Sequence, residues 1–132
     1  MKTHYRNTDL DLHSRTRLDD LNRHLEAAGL VVLGHHQDGQ GDWVAVLEII
    51  GEEDDRFHVN VDATVVAMLD VLEQLPQSER QMFDQCTLKE FNAAYDVGDK
   101  PLDFNEGLSA ATISRMAALN MSLRITLYPG DE

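Results

Sequence analysis

Cysteine is almost missing from this chain: Cys86 stands alone among 132 residues. One thiol cannot close an intrachain disulfide, so a packed core must hold the fold, and such usage suits a reducing compartment. Long apolar runs are missing as well, and none approaches the roughly 18 residues of a membrane-spanning helix. Residues 1–7 lack the apolar centre of a secretory signal. The expectation is a cytoplasmic protein with no membrane contact. Basic residues are scarce, 11 Lys and Arg against 24 Asp and Glu, for a net charge of −13. That scarcity argues against nucleic acid phosphates and anionic lipid, both of which call for clustered Lys and Arg. It suits a basic protein partner drawn in by charge, although an acidic surface also simply keeps a chain in solution. With three prolines, no Gly- or Ser-rich tract and no repeat, residues 1–132 read as a single domain.

Catalytic signatures are equally thin. The serines lack a Gly-x-Ser-x-Gly elbow. Gly39-Gln-Gly41 has no third glycine and leads into a strand-like run, so it is no phosphate cradle. There is no His-Glu-x-x-His, no paired cysteine and no calcium loop. His35 and His36 are adjacent, so on a strand they point to opposite faces. Glu52, Glu53, Asp54 and Asp55 read as a solvated loop. Cys86 has no histidine nearby in sequence and reads as a small buried apolar group. Trp43 reads as core. The chain is expected to be a non-enzyme without a cofactor.

What is present is periodicity. Met121, Leu123, Ile125 and Leu127 alternate with Ser122, Arg124, Thr126 and Tyr128, the pattern of a strand with one buried and one wet face. Ahead of it, Ser109 caps a short helix whose apolar stripe is Ile113, Met116 and Ala117, with Leu108 and Ile113 as a hydrophobic staple. At the other end, Thr8–His13 reads as a strand with Leu10 and Leu12 inward. Ser14 or Thr16 then opens a helix striped by Leu18, Leu21 and Leu25 and closed by Gly29. Leu30–His36 and Trp43–Ile50 read as a loose hairpin. Phe57–Val61 reads as a further strand. Asp62 caps a helix lined by Val65, Met68, Leu69, Leu72 and Leu75, with Val61 and Val66 as its staple. A short helical piece over Ser78–Gln85 and a strand over Leu88–Val97 follow. The order predicts an α+β two-layer sandwich: a mostly antiparallel sheet of five to six strands with helices packed on one face.

In that arrangement Asp9, Asp11, His13, His58, Asn60, Glu90, Asn92, Arg124, Thr126 and Tyr128 point away from the helices. Arg124 is placed to pair with Glu90 or Asp11. A solvated sheet face produces such a set unaided. A recognition surface produces it too, since Tyr and Arg anchor interfaces. The residues of interest are Asp11, His58, Glu90, Asn92, Arg124 and Tyr128.

The second half, Leu69 to Tyr128, resembles the uncharacterised bacterial family known as domain of unknown function 4279. The residues that carry the resemblance are Leu72-Glu73-Gln74-Leu75, Gly107-Leu108-Ser109, Ala117 through Leu123, and Tyr128. The resemblance implies a small α+β domain with no established activity, of the kind associated with immunity proteins that neutralise bacterial toxins. It defines no functional residues.

The functional expectation is therefore a non-enzymatic module that binds a basic protein, immunity-like in one version. The alternative is a small-molecule or metal-binding domain using Asp9, Asp11 and His13 or His58. Self-association through an exposed strand is a third route.

Overall fold

The structure, a computed structural model, describes residues 2–49 and 60–130. It is an α+β two-layer sandwich: five strands form one mixed sheet and four helices pack against it. In chain order these are β1 (His4–Ser14), α1 (Asp19–Ala27), β2 (Leu30–Gln37), β3 (Trp43–Ile49), α2 (Val61–Glu73), α3 (Gln77–Asp84), β4 (Leu88–Val97), α4 (Ala110–Ala118) and β5 (Ser122–Pro129). The sheet order is β2-β3-β1-β4-β5, antiparallel throughout except for the parallel pair β4–β5. The expected strand at 57–61 lies outside the described residues apart from Val61, which opens α2. The acidic run 52–55 lies outside them too.

The core follows the alternation of the sequence. Leu10 and Leu12 of β1, Ala45 and Leu47 of β3, and Phe91 and Ala93 of β4 face the helices and are buried. Leu21 and Leu25 of α1 meet them, as do Val65, Met68, Leu69 and Leu72 of α2 and Phe83 of α3. Fully burying an aliphatic or aromatic side chain contributes about 1.5–3 kcal/mol, so this layer accounts for most of what holds sheet and helices together. Cys86 belongs to it, and burial pushes its thiol up to about 11, as befits a small apolar group.

Four expectations are corrected. Helix α1 begins later than Ser14 or Thr16 would place it. Ser14 instead closes β1, and its Oγ accepts from the Thr16 N–H at 3.2 Å. The buried Leu18 holds the cap position, so anchoring a core residue outweighs a side-chain cap there. Helix α2 is capped by Asn60, not Asp62: Asn60 Oδ1 accepts from the Ala63 N–H at 2.8 Å. Val61 is thus inside the helix, not its staple, and Asn60 is not a sheet-face residue. Asp62 instead accepts from the Ser109 N–H at 3.0 Å and ties the starts of α2 and α4 together.

The third correction concerns α4. Ser109 caps it as expected, accepting from the Thr112 N–H at 3.1 Å. Its buried side is Thr112, Met116 and Leu119, while Ile113 is 52% exposed and Ala117 is exposed. The helix is rotated so that Thr112 faces inward, and no staple forms. The fourth concerns β5. Met121 is buried, but Leu123, Ile125 and Leu127 are 42%, 59% and 62% exposed. They lie on the helix side of the sheet, opposite Phe91, Ala93 and Tyr95. The helix layer centres on the other strands, with α1 on β2 and α2 on β1 and β3, so the last strand is left largely uncovered.

Candidate functional site

Residues directly opposite each other in a ladder share a face. The register therefore writes out the helix-free side of the sheet. One row crosses it as Glu48, Asp9, Asn92 and Arg124, from β3 through β1 and β4 to β5. The next row is Val46, Asp11, Glu90 and Ser122, and a third is Val44, His13 and Leu88. Thr126 and Tyr128 lie further along β5, opposite Ala94 and Asp96. The structure thus brings Asp11, Glu90, Asn92, Arg124 and Tyr128 onto one face. His58 lies outside the described residues.

Four carboxylates from three neighbouring strands, Asp9, Asp11, Glu48 and Glu90, occupy the middle of this face. Among the described residues one guanidinium hydrogen-bonds to them, and Arg6 adds a weaker attraction at Asp9. Arg124 Nε donates to Glu90 Oε1 at 2.7 Å, the carboxylate being 7% exposed and the arginine 60%. Asn7 Nδ2 donates to Glu48 Oε2 at 2.9 Å. Thr126 Oγ1 donates to Asn92 Oδ1 at 2.7 Å. At the far end of β5, Arg6 stacks over the Tyr128 ring at 4.7 Å and reaches Asp96 at 3.7 Å. Tyr128 is held by an arginine of its own chain while its ring remains partly exposed.

The carboxylates are crowded beyond what Arg124 and Arg6 relieve. Burial, then the charges of Asp11 and Glu48, push Asp9 up to about 6. Burial and the charge of Glu90 raise Asp11 in the same direction, against smaller opposing effects of His13, Asn92 and Arg124. At neutral pH the patch therefore holds negative charge that its own neighbours disfavour. A cation brought from outside would relieve that repulsion. Beside it, Val44, Val46 and Val31 of β3 and β2 form an aliphatic flank. The face is thus acidic at its centre and apolar along one side, not uniformly polar.

Sequence reasoning missed Glu48 and Asn7. Glu48 carried a signal, a lone carboxylate interrupting an apolar strand, and its parity matches Val44 and Val46. Asn7 was invisible because β1 begins four residues earlier than its alternation shows. Among the described residues no three His, Cys, Asp or Glu side chains are grouped to hold a metal ion. His35 and His36 do face opposite ways. His35, beside Trp43 at 5.2 Å between ring centres, accepts through Nε2 from the Leu18 N–H at 3.2 Å. Arg17 covers the half-buried Trp43 at 4.3 Å.

A cleft of about 380 Å³ opens on the helix side. Tyr95, Val97, Leu102, Phe104, Ile125 and Leu127 line it. Tyr95 packs edge-on against Tyr5 and Phe104. Its hydroxyl donates to Glu106 Oε1 at 3.2 Å, an oxygen that also accepts the Val61 N–H at 3.1 Å. Burial and the Glu106 charge hold the phenol above its ordinary range.

Compared with known proteins, the chain matches no family model, no curated protein and no solved structure.

Proposed function

We infer that the protein is a non-enzymatic binding module that receives a basic protein partner on the helix-free sheet face. The observation that carries this reading is the group of four carboxylates, Asp9, Asp11, Glu48 and Glu90, with Asp9 pushed up to about 6 by burial first and then by the charges of Asp11 and Glu48. Lys or Arg side chains docked there gain charge-assisted hydrogen bonds and remove a like-charge repulsion already present in the free protein. Val31, Val44 and Val46 would supply apolar contact at the margin. The net charge of −13 would steer such a partner toward the domain. Asp11, Glu90, Asn92, Arg124 and Tyr128 remain the residues we assign to the contact. The resemblance to the domain-of-unknown-function 4279 family points the same way. Its finer version is a cytoplasmic bacterial protein that neutralises a basic toxin.

Affinity capture from the native host tests the reading. The wild type is compared with a variant carrying Asp9→Asn, Asp11→Asn, Glu48→Gln and Glu90→Gln. A control variant neutralises Asp20, Glu26, Asp38 and Asp84 instead. A partner kept by the control and lost by the first variant supports the face. A partner lost equally from both would reduce the effect to net charge and overturn it. The alternative is a small molecule held by Asp9, Asp11 and His13. Thermal-shift screening against metabolites addresses it, since any ligand of the folded state raises the melting temperature.

A further inference from the structure

We propose that the β5 edge is a self-association face: two copies pair antiparallel through Ser122–Pro129 about a two-fold axis at Ile125, making one ten-stranded sheet. The inference does not depend on the function assigned to the opposite face.

Three observations converge on β5. Among the described residues it ends the sheet, and its register with β4 runs from Ser122 to Pro129 without a shift, so within them it offers a straight, unpaired backbone. Edges of this kind are ordinarily blunted by charge or by bulges. The other edge strand, β2, has such a device, a register shift between Val32 and Gly34. The one charged side chain of β5, Arg124, is turned to Glu90 of its own sheet. Second, Leu123, Ile125 and Leu127 are a continuous exposed apolar strip beside the Leu102–Phe104 wall of the cleft. Third, Asp and Glu make up 24 of the 132 residues, yet none occurs between Gly107 and Gly130. Two β5 strands can therefore approach without carboxylates of their own opposing each other; β2 shares this lack, and its register shift is what sets it apart.

The sequence of β5 selects its own register. Antiparallel registers that keep like faces together are centred on a residue. Centring on Arg124 sets two guanidinium groups directly opposite, which is unfavourable. Centring on Thr126 puts Leu123 against Pro129 and leaves the strip staggered. Centring on Ile125 pairs Ile125 with itself and Leu123 with Leu127 of the second copy, and sets Arg124 beside Thr126. That pairing is isologous and closes as a dimer, whereas β5 against β2 would propagate as an open filament. The eight-residue edge is short of the about 800 Å² per partner of a stable interface. The dimer is therefore expected to be concentration-dependent.

Sedimentation velocity on the full chain from about 1 to about 500 μM tests it. The wild type should shift from monomer to dimer mass across that range. Ile125→Lys should remain monomeric with unchanged circular dichroism, since the residue is exposed, and Leu33→Lys on β2 should dimerise as the wild type does. The register is read by oxidation of single cysteine variants, with buried Cys86 as an internal background. Ile125→Cys should cross-link to itself, because directly opposed residues lie about 4.5–5.5 Å apart at Cα, within disulfide range. Arg124→Cys should not cross-link with itself, but should do so when mixed with Thr126→Cys. A wild type that stays monomeric throughout overturns the proposal. So does a dimer indifferent to Ile125→Lys, or cross-linking of Arg124→Cys in preference to Ile125→Cys.

Discussion

Asp9 occupies a position its surroundings disfavour when it is charged. Burial, Asp11 and Glu48 raise it from 3.8 to about 6. A carboxyl whose folded pKa exceeds its unfolded value binds its proton more tightly when folded. Stability then falls as pH rises from about 4, where the unfolded chain releases the proton, through about 6, where the folded protein does, and levels off above. The shift corresponds to about 3 kcal/mol, which partial solvent exposure reduces to roughly 1–2 kcal/mol. Asp9→Asn should therefore stabilise the protein by that amount at pH 8, by urea unfolding, and leave it unchanged near pH 4. An equal gain at both pH values would mean that the buried charge of Asp9 is not its source. Arg124 works the other way: its guanidinium compensates Glu90, the most buried carboxylate of the patch. Arg124→Ala should lower the melting temperature, and adding Glu90→Gln should recover most of the loss, because the uncompensated charge is then gone.

Among the elements, α4 and β5 show how far alternation and periodicity can be read. Both were found at the expected place, and the Ser109 cap was legible because Ser at an N-cap satisfies a specific N–H. The rotation of α4 was not legible. Thr112 and Ile113 are neighbours, and which one turns inward depends on what α2 presents to the helix, a tertiary fact. The test is a contrast: Met116→Ala should cost about 2–5 kcal/mol as a core truncation. Ile113→Lys should change stability by less than about 0.5 kcal/mol as a surface substitution. The strand β5 was legible as a strand but not as an edge, because the sequence shows which side is apolar and not whether a helix covers it. Asn60 and Asp62 make the same point. Both are good caps, and only the coordinates show Asn60 holding the Ala63 N–H while Asp62 holds that of Ser109. Asn60→Ala should cost about 1 kcal/mol in urea unfolding. A negligible cost would return the cap to Asp62.

Across the whole molecule, carboxylates are unevenly placed among the elements. The free face gathers Asp9, Asp11, Glu48 and Glu90, whereas the last strand and the helix before it contain no carboxylate. At a net charge of −13, self-repulsion opposes the compact state, and salt screens it over about 10 Å at 0.1 M. The melting temperature should accordingly rise with sodium chloride between about 10 and 300 mM. If repulsion were spread evenly, neutralising any four carboxylates would flatten that rise equally. The geometry says otherwise. Asp20 is paired with Arg23, and Asp84 with Arg80, so neutralising them removes attraction along with repulsion. Among the described residues, only Glu90 of the four on the sheet face holds an arginine at hydrogen-bond distance, and Arg6 is a weaker influence on Asp9. The variant neutralised at Asp9, Asp11, Glu48 and Glu90 should thus lose most of the salt dependence, and the control neutralised at Asp20, Glu26, Asp38 and Asp84 should keep it. Equal slopes in the two variants would dissolve the patch into general surface charge, and with it the electrostatic reason for a basic partner to choose this face.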